Sequence, residues 1–196
     1  NGFINVKITL ITCTYLVILA SKLRNDKMSF DILDSPYVAP ETKYFTNKTD
    51  FDNAVGKDFI LHANKVLKKG ENFLVGLSHG QSPSGAYKYI IEHFNTIVHP
   101  ERVFFTFVNS PLKSQETASE VFNASTFVKK LVREGYINKN QVLGKRVEDA
   151  FLDEYVGEYN KLISDFLLVN NKKGMDYAFL ASNPKGRIAG IERKSK

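Results

Sequence analysis

The chain has 196 residues, 43% hydrophobic and 24% charged, the balance of a soluble globular protein large enough for one substantial core. Its 27 basic and 21 acidic residues leave a net charge of +6 without a dense Lys/Arg run interleaved with aromatics, so nucleic acid is not an indicated partner, although anionic ligands are allowed. Cys13 is the only cysteine, and His62, His79, His93 and His99 show no ligand spacing; an internal disulfide and a cysteine-based metal cluster are excluded, and neither metal nor cofactor is expected.

From Ile8 to Ala20 the chain carries 13 uncharged residues, too few for a comfortable membrane span. Three readings compete: the apolar part of a signal segment, a buried strand, or sequence upstream of a start at Met28. The first implies export and gives meaning to the sequons Asn47-Lys48-Thr49 and Asn123-Ala124-Ser125. The third is favoured because the stretch to Pro40 is irregular and regular patterning starts only near Lys43. Residues 1–42 are therefore set apart as an N-terminal extension and 43–196 as the domain. A cytoplasmic location is expected, with export the alternative, and a membrane partner only if residues 8–20 form an anchor.

Lys43 to Phe45 reads as a short first strand. Asn47 or Thr49 then caps a helix in which Phe51, Val55, Phe59, Ala63 and Val66 recur every three to four residues, closing at Lys68, Lys69 and Gly70. Phe73 to Val75 is a buried-strand run, followed by the glycine-punctuated turn Gly76 to Pro83 and a helix with Tyr87, Ile90, Ile91 and Phe94 on one face. Val103 to Val108 is continuous and β-rich, as a strand covered on both faces would be, and breaks at Asn109-Ser110-Pro111. A second amphipathic helix runs through Val121, Phe122, Val128, Leu131 and Val132 to Gly135, and Val142-Leu143 is a brief strand candidate. The longest helix signal carries Phe151, Tyr155, Tyr159, Leu162, Phe166 and Val169, and a further strand spans Asp176 to Ala181. This alternation predicts an α/β fold: three layers, a doubly wound, mostly parallel sheet with helices on both faces, and ligands beyond the carboxyl ends of the strands.

The stretch from Gly76 to Ser84 is the most informative. Glycines let the backbone approach a ligand closely, and a helix start offers unpaired N–H groups and positive partial charge, so an anion fits there; a plain tight turn uses the same residues. Gly76-Leu77-Ser78-His79-Gly80 also matches the G-x-S-x-G nucleophile elbow, but no histidine follows His99, and His79 is adjacent to Ser78 and diverges from it, so the triad is not completed. No Lys-Ser/Thr follows the glycines and G-x-G-x-x-G is absent, which removes the common nucleotide loops.

Three stretches in order resemble the glucosamine-6-phosphate isomerase and 6-phosphogluconolactonase family. GLSHGQSPSGAYK is similar to its phosphate loop, Gly-x-x-x-Gly-x-Ser/Thr-Pro before a Tyr-Lys pair, here Gly76, Gly80, Ser82, Pro83, Tyr87 and Lys88. VFFTFV resembles its second central strand and MDYAFLASNPKGRIAG its third. The resemblance spans roughly residues 43 to 191 and implies a phosphorylated sugar as partner, with its phosphate on Ser78, His79, Gly80, Gln81 and Ser82. The departures fall where the family's chemistry lies. Asn109-Ser110 stand where the isomerases carry an Asp-Glu pair whose Asp moves the proton, and Lys185 and Arg187 stand at the family's Asp and His. An amide cannot take that proton, and arginine stays protonated near neutrality. Lys185 and Arg187 either bind a carboxylate or second phosphate or belong to a solvated basic tail with Arg193, Lys194 and Lys196. The expectation is a sugar-phosphate-binding domain with impaired or altered catalysis; an enzyme using other residues, or a non-catalytic interaction module, is the alternative.

Overall fold

The computed structural model describes residues 9–11, 14–16, 43, 45–80, 82–108, 124–144 and 152–180. Their order is β1 (Thr9–Ile11), β2 (Thr14–Leu16), α1 (Lys48–Leu67), β3 (Phe73–Leu77), α2 (Ser84–Glu92), β4 (Val103–Phe107), α3 (Ala124–Arg133), α4 (Leu152–Val169) and β5 (Tyr177–Ala178). The strands form one sheet in the order β1-β2-β5-β3-β4. β3 runs parallel to both β4 and β5, with Phe73 opposite Val103 and Gly76 opposite Ala178. β2 is also parallel to β5, and only β1 is antiparallel. The α/β, mostly parallel sheet expected from the sequence is thus present, and the apolar segment near the N-terminus supplies the two strands at one side of it, β1 at the edge and β2 next to it.

The period of two along each strand decides which helix lies on which face. Phe73, Val75 and Leu77 of β3 are fully buried in a cluster with Phe51, Phe59, Ala63, Tyr87 and Ile90 of α1 and α2. Phe105 of β4 meets Phe127 of α3 edge-on at 5.7 Å, and Tyr177 meets Phe59 at 5.4 Å, so α1, α2 and α3 cover this side. The intervening residues face the other way: Phe104 packs on Phe166 of α4 at 4.8 Å, and Thr106 shares a 2.5 Å hydrogen bond with the Tyr159 hydroxyl. Two layers of helix therefore enclose the sheet. At Gly76 the layer is thin, since a Cβ there would run into the side chains of Val108 and Met175.

Asn47 is the cap of α1, its Oδ1 accepting from the Asp50 N–H at 2.8 Å. Lys43 and Phe45 are not part of a strand; Phe45 instead stands edge-on to Phe51 at 5.7 Å and fixes how the chain enters α1, as a hydrophobic staple would. Among the described residues α1 has 20 residues and α4 has 18. On α4 the expected stripe is displaced: Leu162 and Val169 are 42% and 83% exposed, and the half-buried positions are Tyr159, Ile163, Phe166, Leu167 and Asn170. A straight helix repeats at 3.6 residues, so spacings of four, seven and eight residues from Tyr159 stay on one face while the 3.5-residue series drifts off it.

β5 is shorter than the sequence run, but its pairing extends one residue to either side. Asp176 N–H donates to the Leu74 carbonyl at 2.9 Å, the Asp176 carboxylate accepts from Leu74 N–H at 2.7 Å, and Phe179 N–H reaches the Gly76 carbonyl at 2.8 Å. Val142-Leu143 makes a single parallel bridge to Phe105, with Leu143 N–H on the Phe105 carbonyl at 2.7 Å. Val121, Phe122, Phe151 and Ala181 lie outside the described residues.

Phe59 has no exposed surface and touches Phe73, Tyr177 and Phe179 at ring-centroid distances of 5.7, 5.4 and 5.8 Å, joining α1 to two strands. Phe59→Ala is expected to lower unfolding free energy by about 3–5 kcal/mol, the range for an aromatic truncated in a packed core. Urea denaturation followed by far-UV circular dichroism checks this, and a loss below about 1 kcal/mol would contradict the packing described.

Candidate functional site

Because β3, β4 and β5 are parallel, the residues that follow them emerge on one edge. Val108 N–H donates to the Leu77 carbonyl at 2.9 Å, so pairing continues to the last residue before the glycine loop. Beyond it come Ser78, His79, Gly80, Ser82 and Pro83, and α2 begins at Ser84. The loop therefore lies at the carboxyl edge, where open α/β sheets bind ligands.

Tyr87, one turn into α2, fixes the loop. Its hydroxyl donates to the Ser78 carbonyl at 3.0 Å and accepts from the Ser78 N–H at 3.1 Å. Both Ser78 and Tyr87 are completely buried, and the Tyr87 ring is stacked on Phe127 at 4.7 Å and edge-on to Phe179 at 5.1 Å. A buried main-chain donor and acceptor are thereby satisfied by one phenol. Burial pushes the Tyr87 pKa above the ordinary phenol value, and the hydrogen bond from Ser78 acts in the opposite direction.

The remaining loop residues are placed more openly. Gly80 N–H points to Ser78 Oγ at a long 3.4 Å, and Gly80, Ser82 and His79 are each half-buried. The His79 ring stacks on Phe107, the last residue of β4, at 4.9 Å and 27°. The hydrogen-bond ladder into α2 opens with Tyr87 N–H on the Pro83 carbonyl at 2.9 Å, and no side chain of Pro83 caps the helix. Of the five residues expected to hold phosphate, the structure brings Ser78, His79, Gly80 and Ser82 together on one turn. The Ser78 N–H is committed to Tyr87. Gln81, Asn109, Ser110, Lys185 and Arg187 lie outside the described residues. The Ser78 hydroxyl, buried and bonded within its own loop, is not presented as an exposed nucleophile.

Two features escaped the sequence reading. Tyr159 of α4 closes the end of β4, its hydroxyl donating to the Phe107 carbonyl at 2.8 Å besides its contact with Thr106, directly before the Asn109-Ser110 positions. Asp52 of α1 is only 8% exposed, is paired with Lys48 Nζ, and lies against Gly85 in the first turn of α2. The signal for this pair was available as the i, i+4 spacing of Lys48 and Asp52, whereas no pattern along the chain relates Asp52 to Gly85. Among the described residues no group of three or more His, Cys, Asp or Glu side chains is placed to hold a metal ion, and no helix is long and apolar enough to cross a membrane.

No protein-family model and no curated protein matches this chain. Solved structures do. It is similar to 6-phosphogluconolactonase from Plasmodium vivax, at 20% identity and a TM-score of 0.59 over 73% of this chain and 48% of that one. 6-Phosphogluconolactonase from Thermotoga maritima matches at 15% identity and a TM-score of 0.55 over 91% of this chain and 64% of that one. A monomeric glucosamine-6-phosphate deaminase matches at 15% identity and a TM-score of 0.52 over 76% and 60% of the two chains. The chain thus has the fold of these proteins and agrees with the resemblance carried by its three stretches, while it spans about half to two-thirds of their lengths.

Tyr87→Phe leaves the Ser78 N–H and carbonyl without their partner in a dry site, and a loss of about 1–3 kcal/mol is expected together with faster hydrogen exchange at Ser78 and Gly80. The wild type should also lose stability as pH rises above about 10, because the unfolded chain then releases a phenolic proton that the folded chain retains. The variant should lack that portion of the alkaline decline. Equal urea midpoints for the two proteins at pH 7 would be incompatible with the double hydrogen bond.

Proposed function

We propose that this chain binds a phosphorylated sugar at the loop from Ser78 to Ser82, and that it does so without the proton transfers of an isomerase or a lactonase. The observation that carries the reading is the glycine loop itself, at the carboxyl edge of β3, held at one end by Tyr87 and continuing without a break into α2. A phosphate seated there meets the N–H groups of the helix start and the positive end of its dipole. Gly80 presents no side chain to obstruct it, and the Ser82 hydroxyl adds a donor. The fold shared with two 6-phosphogluconolactonases and a glucosamine-6-phosphate deaminase supports a sugar phosphate over other anions and a role in carbohydrate metabolism.

Residue types weigh against ordinary turnover. A carboxamide has no basic lone pair at neutral pH, so Asn109 cannot carry a proton between sugar carbons. A guanidinium stays protonated near neutrality and has no free lone pair to accept a proton, so Arg187 cannot activate water for attack on a lactone. What both can do is bind: Asn109 through its amide donors and acceptor, Lys185 and Arg187 through charge toward a carboxylate or a second phosphate. The domain therefore works as a sensor or regulatory binder of sugar phosphates.

Titration with glucosamine 6-phosphate and with 6-phosphogluconate, followed at the amide resonances of Gly80 and Ser82, should give saturable shifts with at least one of them, and Gly80→Val should abolish the response. Neither compound's isomerisation or release, nor hydrolysis of the corresponding lactone, should exceed the uncatalysed rate. Absence of any shift with a panel of phosphorylated sugars would remove the reading, and turnover lost on Arg187→Ala would replace it with an enzyme of altered machinery.

A further inference from the structure

We propose that Lys48, in the first turn of α1, is the cation of the phosphate subsite, held ready by Asp52 beside the start of α2; the inference rests on the reading of the loop as a phosphate site. A phosphate monoester carries close to two negative charges near neutrality and is ordinarily met by arginine or lysine. The stretch from Gly76 to Ser84 contains neither, and the positive end of a helix amounts to about half a charge. The missing charge has to come from another element.

Contacts along α1 and α2 show which element is near. Asp52 lies against Gly85, Gly56 against Tyr89, and Asn64 accepts from Val98 N–H at 2.8 Å while donating to the Thr96 carbonyl at 3.0 Å. The order of contacts is the same in both segments, so the two helices run parallel and their first turns lie side by side at the carboxyl edge. Glycine at 85 is what brings the carboxylate in: a Cβ there would overlap Asp52 Oδ2, the oxygen that accepts from Lys48 Nζ. The ammonium is therefore one oxygen away from the first turn of α2, three residues past Ser82.

The charge set at this point is incomplete. Asp52 is 8% exposed, and its Oδ1 is buried without a hydrogen-bond partner among the described residues. The Lys48 side chain is 53% exposed, so it can turn toward a ligand while remaining on Asp52. An ammonium has three donors, enough to hold the Asp52 carboxylate and a phosphate oxygen together. Without Lys48, an incoming phosphate would face the Asp52 carboxylate as a like charge across the helix terminus.

Calorimetric titration of the full chain with glucosamine 6-phosphate tests this. Lys48→Met should weaken binding about tenfold or more and flatten its salt dependence, Lys48→Arg should keep affinity within about threefold, and Lys57→Met, an exposed position on the same helix, should change nothing. Because Lys48→Met leaves a buried carboxylate unpaired, the double variant Lys48→Met/Asp52→Asn is measured with it; it keeps the net charge, removes the unpaired carboxylate, and should still bind weakly. If both variants bind as tightly as wild type while Gly80→Val does not bind, the role of Lys48 is overturned and the phosphate loop stands. If the wild type binds no phosphorylated sugar, both fall together.

Discussion

The pair of hydrogen bonds between one phenol and the main chain of one residue governs how this fold presents its carboxyl edge. Strand β3 must give way to α2 through a loop whose main-chain groups would otherwise be orphaned in a dry interior, and Tyr87 takes both the N–H and the carbonyl of Ser78. The bond is made by a helix residue and not by water, so the loop is anchored to α2 at its first buried residue and left open further on, at Gly80 and Ser82. The same ring stacks on Phe127 of α3 and stands edge-on to Phe179, the residue after β5. A polar clasp at the site and the hydrophobic core are therefore one structure, and loosening either loosens both.

Close approach is the second constraint. Gly76 lets the Val108 and Met175 side chains meet over β3, and Gly85 lets the Asp52 carboxylate lie on the first turn of α2. Neither glycine is needed for an unusual backbone angle; each is needed because a neighbour occupies the place of a side chain. Glycines in a phosphate loop are commonly explained by what they allow a ligand to do. Here at least two of them are explained by what they allow the protein to do.

Much of this was legible along the chain. The three-to-four-residue recurrence of Phe51, Val55, Phe59 and Ala63, the Asn47 cap and the unbroken apolar runs at Phe73 and Val103 are local signals, and each became the element it predicts. The loop after β3 was legible as a turn between strand and helix, because glycine, serine and proline punctuate it. What was not legible depended on distance in sequence. The phase of α4 followed from where Phe104 and Thr106 point, 62 and 53 residues from their partners Phe166 and Tyr159, and the spacing of apolar residues alone suggested a different stripe. Phe45 was β-prone in composition, yet packing on Phe51 decided its place. Asp52 on Gly85 had no sequence signature at all, since burial of a carboxylate against a helix start is a property of two helices and not of either one.

The two sides of the carboxyl edge differ in the chemistry they place near a ligand. At the end of β3 stand main-chain groups, a serine hydroxyl and the start of a helix, all suited to an anion. At the end of β4, Thr106 and Tyr159 join their hydroxyls and Tyr159 holds the Phe107 carbonyl. Thr106 is fully buried and both hydroxyls are engaged within the protein, so they fix the end of β4 and bring no charge to it. In sequence, Asn109 and Ser110 extend the same character by two residues. On the reading proposed above, an edge with main-chain donors after β3 and no charge at the end of β4 suits a phosphorylated polyol, and catalysis there would require proton carriers where the sequence has Asn109 and Arg187.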